Sequence, residues 1–174
     1  MRMAEAGILS DDDTVELIDG QIVEMSPENW PHRVCIAKIN RVLVRELEGT
    51  RCFVQPQSTL PLDEHNLPEP DLAVLRGTPD DLLGGEQDAT LVVEVADTSL
   101  ERDRALKQSL YAGAGIPMYW LVNLRDRTLE VYRNPDGDTY RERRTLKGED
   151  TVPLQDDLTT TVAVADLLPA PPDA

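Results

Sequence analysis

Three stretches of this chain place charged side chains where apolar ones are expected. In Leu91-Val-Val-Glu-Val-Ala96, Glu94 interrupts a β-like apolar run, where a carboxylate is costly unless another group compensates it. A period of two puts Val92, Glu94 and Ala96 on one face. The flanking valines do not alternate with polar residues, which reads as a central strand rather than an edge with Glu94 in solvent. Further on, Leu100, Asp103, Lys107, Leu110, Tyr111 and Ala114 fall on one helical stripe. Asp103 and Lys107 thus occupy the arc where a packed helix carries Leu or Ala, and a spacing of four lets them pair. The chain has only three lysines, Lys38, Lys107 and Lys147, so one held at an inward position carries weight. Third, Pro68-Glu-Pro-Asp71 delivers Asp71 in an extended approach to the apolar run Leu72–Leu75. We expect Asp71, Glu94 and Lys107 to share one partly buried site. The alternatives are an acid–base pair of the two acids, against which the inward Lys107 speaks, and a Lys107 that belongs to a structural ion pair or snorkels to the rim.

The elements that must hold these residues are legible around them. Thr14–Ile18 and Gln21–Met25 flank Asp19-Gly20, the dipeptide of a tight hairpin. Pro31 suits a helix start, and Ile36, Ile39, Leu43 and Leu47 follow at helical spacing until Gly49, so residues 31–48 are predicted helical. Strands are predicted at Cys52–Gln57, Pro70–Arg76 and Leu91–Ala96, with a Gly-, Pro- and Asp-rich loop over 77–89. Thr98-Ser-Leu-Glu101 has the form of a capping box, which predicts a helix over 99–113 ended by Gly113, Gly115 and Pro117. Met118–Leu124 pairs with Thr128–Arg133, and Tyr140–Leu146 returns across Asn134-Pro-Asp-Gly137. Leu158–Leu168 reads as a strand and a short turn of helix, and 169–174 as a frayed tail.

Two strand-borne acids and a lysine resemble the PD-(D/E)XK nuclease arrangement. The stretches MAEAGIL (3–9), VELIDGQIVEMSP (15–27), QSTLPLDEHNLPEPDLAVLR (57–76), LVVEVADTSLERDRALKQSLYAGAGIPMYWLVNL (91–124) and LEVYR (129–133) resemble one bacterial branch, the Uma-two family of restriction-endonuclease-like proteins. The resemblance implies an α/β fold: an αβββαβ restriction-endonuclease-like core, a mixed sheet flanked by helices, with an N-terminal hairpin. It implies Mg²⁺- or Mn²⁺-dependent hydrolysis of DNA phosphodiester bonds, with Asp71, Glu94 and Lys107 catalytic. Asp71, Glu94 and the backbone carbonyl of Val95 would hold the metal, and Glu16, Gln57 and Asp103 would support the site. The parent motif's lysine position is Ala96 here, and Lys107 on the next helix takes its place. A homodimer follows from the need to cut both strands.

Composition bounds the rest. The 174 residues suit a single domain, with 3–168 as its ordered core. No apolar run approaches the ~20 residues of a membrane span, and the start is no signal peptide, so a cytoplasmic protein is expected. Cys35 and Cys52 stand without a CxxC or Cys/His cluster and read as reduced buried thiols. Asp11-Asp-Asp13 reads as a solvated turn, Tyr119-Trp120 as core, and His32 and His65 as solvated or capping residues. The net charge of −16 argues against electrostatic grip on duplex DNA. The charge is uneven, however: 125–147 holds seven basic residues against five acids, and 31–45 carries Arg33, Lys38, Arg41 and Arg45. A partner that offsets the acidic surface, or a catalytically inactive interaction module on the same fold, is the rival reading.

Overall fold

The computed structural model describes residues 14–25, 29–85, 87–97, 100–154 and 161–171. Strands β1 (Val15–Ile18) and β2 (Gln21–Glu24) form the predicted hairpin. Its turn residues Asp19 and Gly20 have φ of 50° and 72°, the positive values that the Asp-Gly pair foretells. Helix α1 (Trp30–Glu46) follows. Asn29 caps it, its side chain accepting from the N–H of His32 at 3.0 Å, and Pro31 sits in the first turn where its missing N–H costs nothing.

The main sheet has six strands in the order β3 (Cys52–Pro56), β4 (Leu72–Arg76), β5 (Ala89–Ala96), β6 (Met118–Asn123), β7 (Thr128–Asp136) and β8 (Thr139–Lys147). Only β5 and β6 run parallel; every other junction is antiparallel. The parallel junction requires a crossover, supplied by α2 (Leu100–Arg102), a π-turn (Asp103–Lys107) and α3 (Gln108–Gly113). From α1 to β6 the order is therefore αβββαβ. A small pair, β9 (Thr151–Pro153) with β10 (Thr161–Ala163), and the short α4 (Val164–Leu167) complete the described chain.

The sheet is covered on both faces. Cys35, Ile39 and Leu43 of α1, with Val164 and Leu167 of α4, pack on Leu72, Val93, Val95, Trp120 and Val131. Tyr111 and Ile116 pack on the opposite face against Val92, Ala96, Tyr119 and Leu121. Each fully buried leucine, such as Leu72, Leu91 or Leu121, contributes about 1.5–3 kcal/mol of transfer free energy. Trp120 and Tyr119 are wholly buried, as a core reading requires. Cys35 is buried and Cys52 half-buried, both as free thiols.

Several boundaries differ from expectation. The 77–89 loop contains a 3-10 turn at Pro79–Gly84, with Thr78 and Asp81 capping its start. The β7–β8 ribbon runs past Asn134 and Pro135 and turns at Gly137-Asp138, where Gly137 supplies a φ of 62°. The helix expected as one α-rod contains the π-turn. The 3–9 motif, Asp11–Asp13, the Thr98 cap and residues 172–174 lie outside the described residues. Among the described residues, no helix is long and apolar enough to cross a membrane.

Candidate active site

The site is assembled at the end of the sheet where β4 begins and β5 finishes. Register pairs Leu72 with Val93, so Asp71, one residue before β4, meets β5 at the level of Glu94. Alternation groups Ala73 and Leu75 with Val92 and Ala96 on the face under α3, and Asp71 and Glu94 share that parity. All eight residues of β5 are buried between β4 and β6, so Glu94 is a central-strand carboxylate and not an edge residue.

Asp71 Oδ2 accepts the N–H of Val95 at 2.6 Å, which pins the carboxylate to the next peptide of β5. The same oxygen lies 3.3 Å from Nε2 of His32, in the first turn of α1. On Glu94, Oε1 accepts from Lys107 Nζ at 3.1 Å and from the Tyr111 hydroxyl at 2.7 Å. Lys107 Nζ also donates to Glu16 Oε1 at 2.5 Å, and Glu16 Oε1 takes the N–H of Glu69 at 2.9 Å. The hairpin thus contributes Glu16 across 91 residues of sequence, steadied by the Leu17–Leu67 bridge. The Lys107 and Glu16 side chains are 3% and 1% exposed, a degree of burial charged groups tolerate only when paired.

The π-turn sets Lys107 in this place. Its one extra residue per turn is a feature frequent at functional sites. The turn is fastened at its other end as well: Arg104 donates to both oxygens of Glu130, which sits in the same cross-strand row as Glu94, with Leu121 between them. Arg143 and the Tyr132 hydroxyl complete that second cluster.

The electrostatics are lopsided. Asp71, Asp103 and Glu16 all act on Glu94, and one ammonium, Lys107, opposes them. Burial, with help from Asp71, Asp103 and Glu16, pushes Glu94 up to about 8 despite Lys107. Burial alone would lower Lys107, but Glu94 and Glu16 outweigh it and raise its pKa, keeping it charged. Tyr111 is raised well above its ordinary value by burial and by Glu94, so it stays a donor.

This donor set suits a hard divalent ion. Among the described residues, the hydrogen bonds to Glu94 fall on Oε1 and the side-chain contacts of Asp71 on Oδ2, leaving one oxygen of each for a ligand. No three His, Cys, Asp or Glu side chains converge into a cation cage among the described residues. Two carboxylates with a backbone carbonyl and solvent match the habit of Mg²⁺, which retains several waters.

Of the residues expected at the site, Asp71, Glu94, Lys107 and Glu16 come together. Val95 is bound to Asp71 through its N–H. Gln57 is exposed and adjoins through its backbone, donating to the Asp71 carbonyl at 3.1 Å with φ of 43°. Asp103 is buried beside the cluster, its carbonyl accepting from the Tyr119 hydroxyl at 3.3 Å. The Asp103–Lys107 pairing that the spacing allowed is not the one adopted, because Lys107 directs its hydrogen bonds to Glu16 and Glu94. His32, expected to be solvated or capping, is instead drawn to Asp71, and Tyr111 joins Lys107 on Glu94. No local signal marked His32. Tyr111 had one: a buried tyrosine on the stripe of Lys107 needs a partner for its hydroxyl.

An αβββαβ core that turns two strand-borne carboxylates and a helix-borne lysine toward one point is the framework of restriction-endonuclease-like proteins. The chain belongs to the Uma2 family, described as "Putative restriction endonuclease", which it matches over residues 3–166. Its fold is similar to a crystal structure described as a putative nuclease belonging to DUF820 from Anabaena variabilis, with a TM-score of 0.71 and 16% identity over 95% of this chain and 96% of that one. No curated protein matches the chain.

Proposed function

We propose that this chain is a divalent-metal-dependent endonuclease that hydrolyses DNA phosphodiester bonds, with Asp71, Glu94 and Lys107 as the catalytic set. The observation that carries the reading is the crowding of Glu94 by Asp71, Asp103 and Glu16 with Lys107 as its one ammonium partner, so that Glu94 is too buried to ionise readily without a further cation. Mg²⁺ or Mn²⁺ would be held by Asp71, Glu94 and the Val95 carbonyl; when bound it supplies Lewis acidity at the phosphate and an activated water. Lys107 orients the attacking water or offsets negative charge developing on the phosphate. Glu16 and Tyr111 keep Lys107 and Glu94 in register, and His32 holds Asp71. Cutting both strands suggests a homodimer, which light scattering checks.

The test is incubation with plasmid and Mn²⁺, paired with calorimetric titration of the metal. Wild type should bind metal and cut. Asp71→Asn and Glu94→Gln should do neither, and cleavage surviving in both would refute the site. The net charge of −16 favours a second reading, an interaction module that keeps the fold without the activity. Metal binding with no cleavage of any nucleic acid at any salt concentration would select it.

A further inference from the structure

The outer face of α1 departs from the acidic character of the chain. Trp30, at the first position of the helix, is 76% exposed, and the guanidinium of Arg33 lies over its ring at 5.8 Å from the centroid. Val34, Arg41, Val44 and Arg45 continue the same face at helical spacing, all exposed. Val34 and Val44 are 44% and 55% exposed, so the stripe alternates apolar surface with cations. From Trp30 to Val44 the stripe carries no acid, in a chain with 33 acids against 17 bases; at its far end Arg45 is ion-paired with Glu46 at 2.6 Å, and Glu48 is exposed beyond it.

Position gives the stripe its meaning. At one end His32, two residues from Trp30, reaches Asp71. At the other end Arg41, Val44 and Arg45 form one wall of a groove of about 820 Å³, whose opposite wall is Cys52–Val54 at the start of the edge strand β3. Strand β3 runs antiparallel to β4, so the groove end is the far end of the sheet from Asp71. The stripe therefore leads away from the candidate active site along the 17-residue helix, a length of about 25 Å.

We propose that this face binds an unpaired nucleic-acid strand, with a base stacked on Trp30 and phosphates near Arg33 and Arg41. The inference rests on the endonuclease reading and adds to it the form of the substrate. An exposed indole braced by a guanidinium offers a π-face that only an unstacked base can meet, and such stacking tolerates any base. A single strand can follow one narrow cationic stripe, whereas a duplex would bring its charge against the acidic remainder of the surface. The same cations disfavour packing this face against its own copy.

The test uses the full chain in EDTA, so that nothing is cut. Trp120 is fully buried, which leaves Trp30 as the solvent-facing fluorophore. Titration with oligothymidylate should quench the emission, and a blunt duplex of equal length should bind at least tenfold more weakly. Trp30→Ala should weaken oligothymidylate binding by about 5- to 100-fold, with Trp30→Phe losing less. Arg41→Ala should reduce the slope of log affinity against log salt by about 0.7. Binding unaffected by Trp30→Ala, or a preference for duplex, would overturn the inference while leaving the endonuclease reading intact. So would light scattering that shows Trp30→Ala dissociating a dimer without any oligonucleotide quenching. Stacking at Trp30 without Mn²⁺-dependent cleavage would sustain the strand-binding face and remove the nuclease.

Discussion

Nε2 of His32 stands 3.3 Å from Oδ2 of Asp71, joining the first turn of α1 to the first carboxylate of the site. The contact fixes the orientation of Asp71 together with the Val95 N–H. Groups that orient a metal-binding carboxylate typically matter 10- to 100-fold for metal affinity or activity. We predict that His32→Ala weakens Mn²⁺ binding by about that factor in calorimetry and lowers cleavage in step. Unchanged affinity would show that the imidazole has no hold on Asp71.

Tyr111 and Lys107 donate to the same oxygen of Glu94, so removing one leaves the other to orient the carboxylate alone. Tyr111→Phe deletes a hydrogen bond to the buried Glu94 and should cost about 0.5–1.5 kcal/mol of stability. Metal affinity should fall about tenfold. Denaturant melts and calorimetry on the same sample separate the two effects.

Lys107→Met asks more of the fold. It leaves Glu16 and Glu94 buried beside each other with no cation between them. Breaking a buried ion pair from one side costs about 3–5 kcal/mol, and here two carboxylates lose their partner. The variant should melt well below wild type. A variant as stable as wild type would mean that the ammonium is not neutralising these acids.

The strands of the site were legible because each depends on local pattern. The Val-rich run around Glu94 demands a central strand, and Asp19-Gly20 demands a tight turn, whatever the rest of the chain does. The inward lysine was legible for the same reason, since a helical stripe is a local property. Its partners were not. Whether Lys107 meets Asp103 or Glu16 depends on how the hairpin docks, 91 residues away, and on a π-turn that has no sequence signature in its five residues. His32 was hidden likewise: its neighbour Asp71 is fixed by where α1 crosses the sheet. The resemblance to the Uma-two family brought Glu16 into view, which spacing alone could not do.

Glu130 anchors the other end of the π-turn through Arg104. Burial raises its pKa, but hydrogen bonds from Arg104 and Tyr132 and the charge of Arg143 prevail and hold it below the usual carboxylate range. Glu130→Ala should cost about 3 kcal/mol, because Arg104 and Tyr132 lose their acceptor. Arg104 would then no longer tether the turn that presents Lys107, so cleavage should drop beyond what the fraction unfolded explains. Thermal melts with activity measured well below the transition give both numbers.

Glu94 should make the metal-free protein lose stability as pH rises. Its folded pKa of about 8 lies above the roughly 4.3 of an unfolded glutamate. Between those values the folded state keeps a proton that the unfolded chain has released. Stability from this group is therefore complete below about pH 4 and declines through pH 8, by at most about 1.4 kcal/mol for each pH unit. Glu94→Gln carries no titrating proton and removes that slope. Urea melts of both proteins in EDTA from pH 5 to pH 9 should diverge, with the variant gaining on wild type as pH increases. If the two curves stay parallel, Glu94 is ionised in the folded protein across that range, and the cluster does not lack a cation.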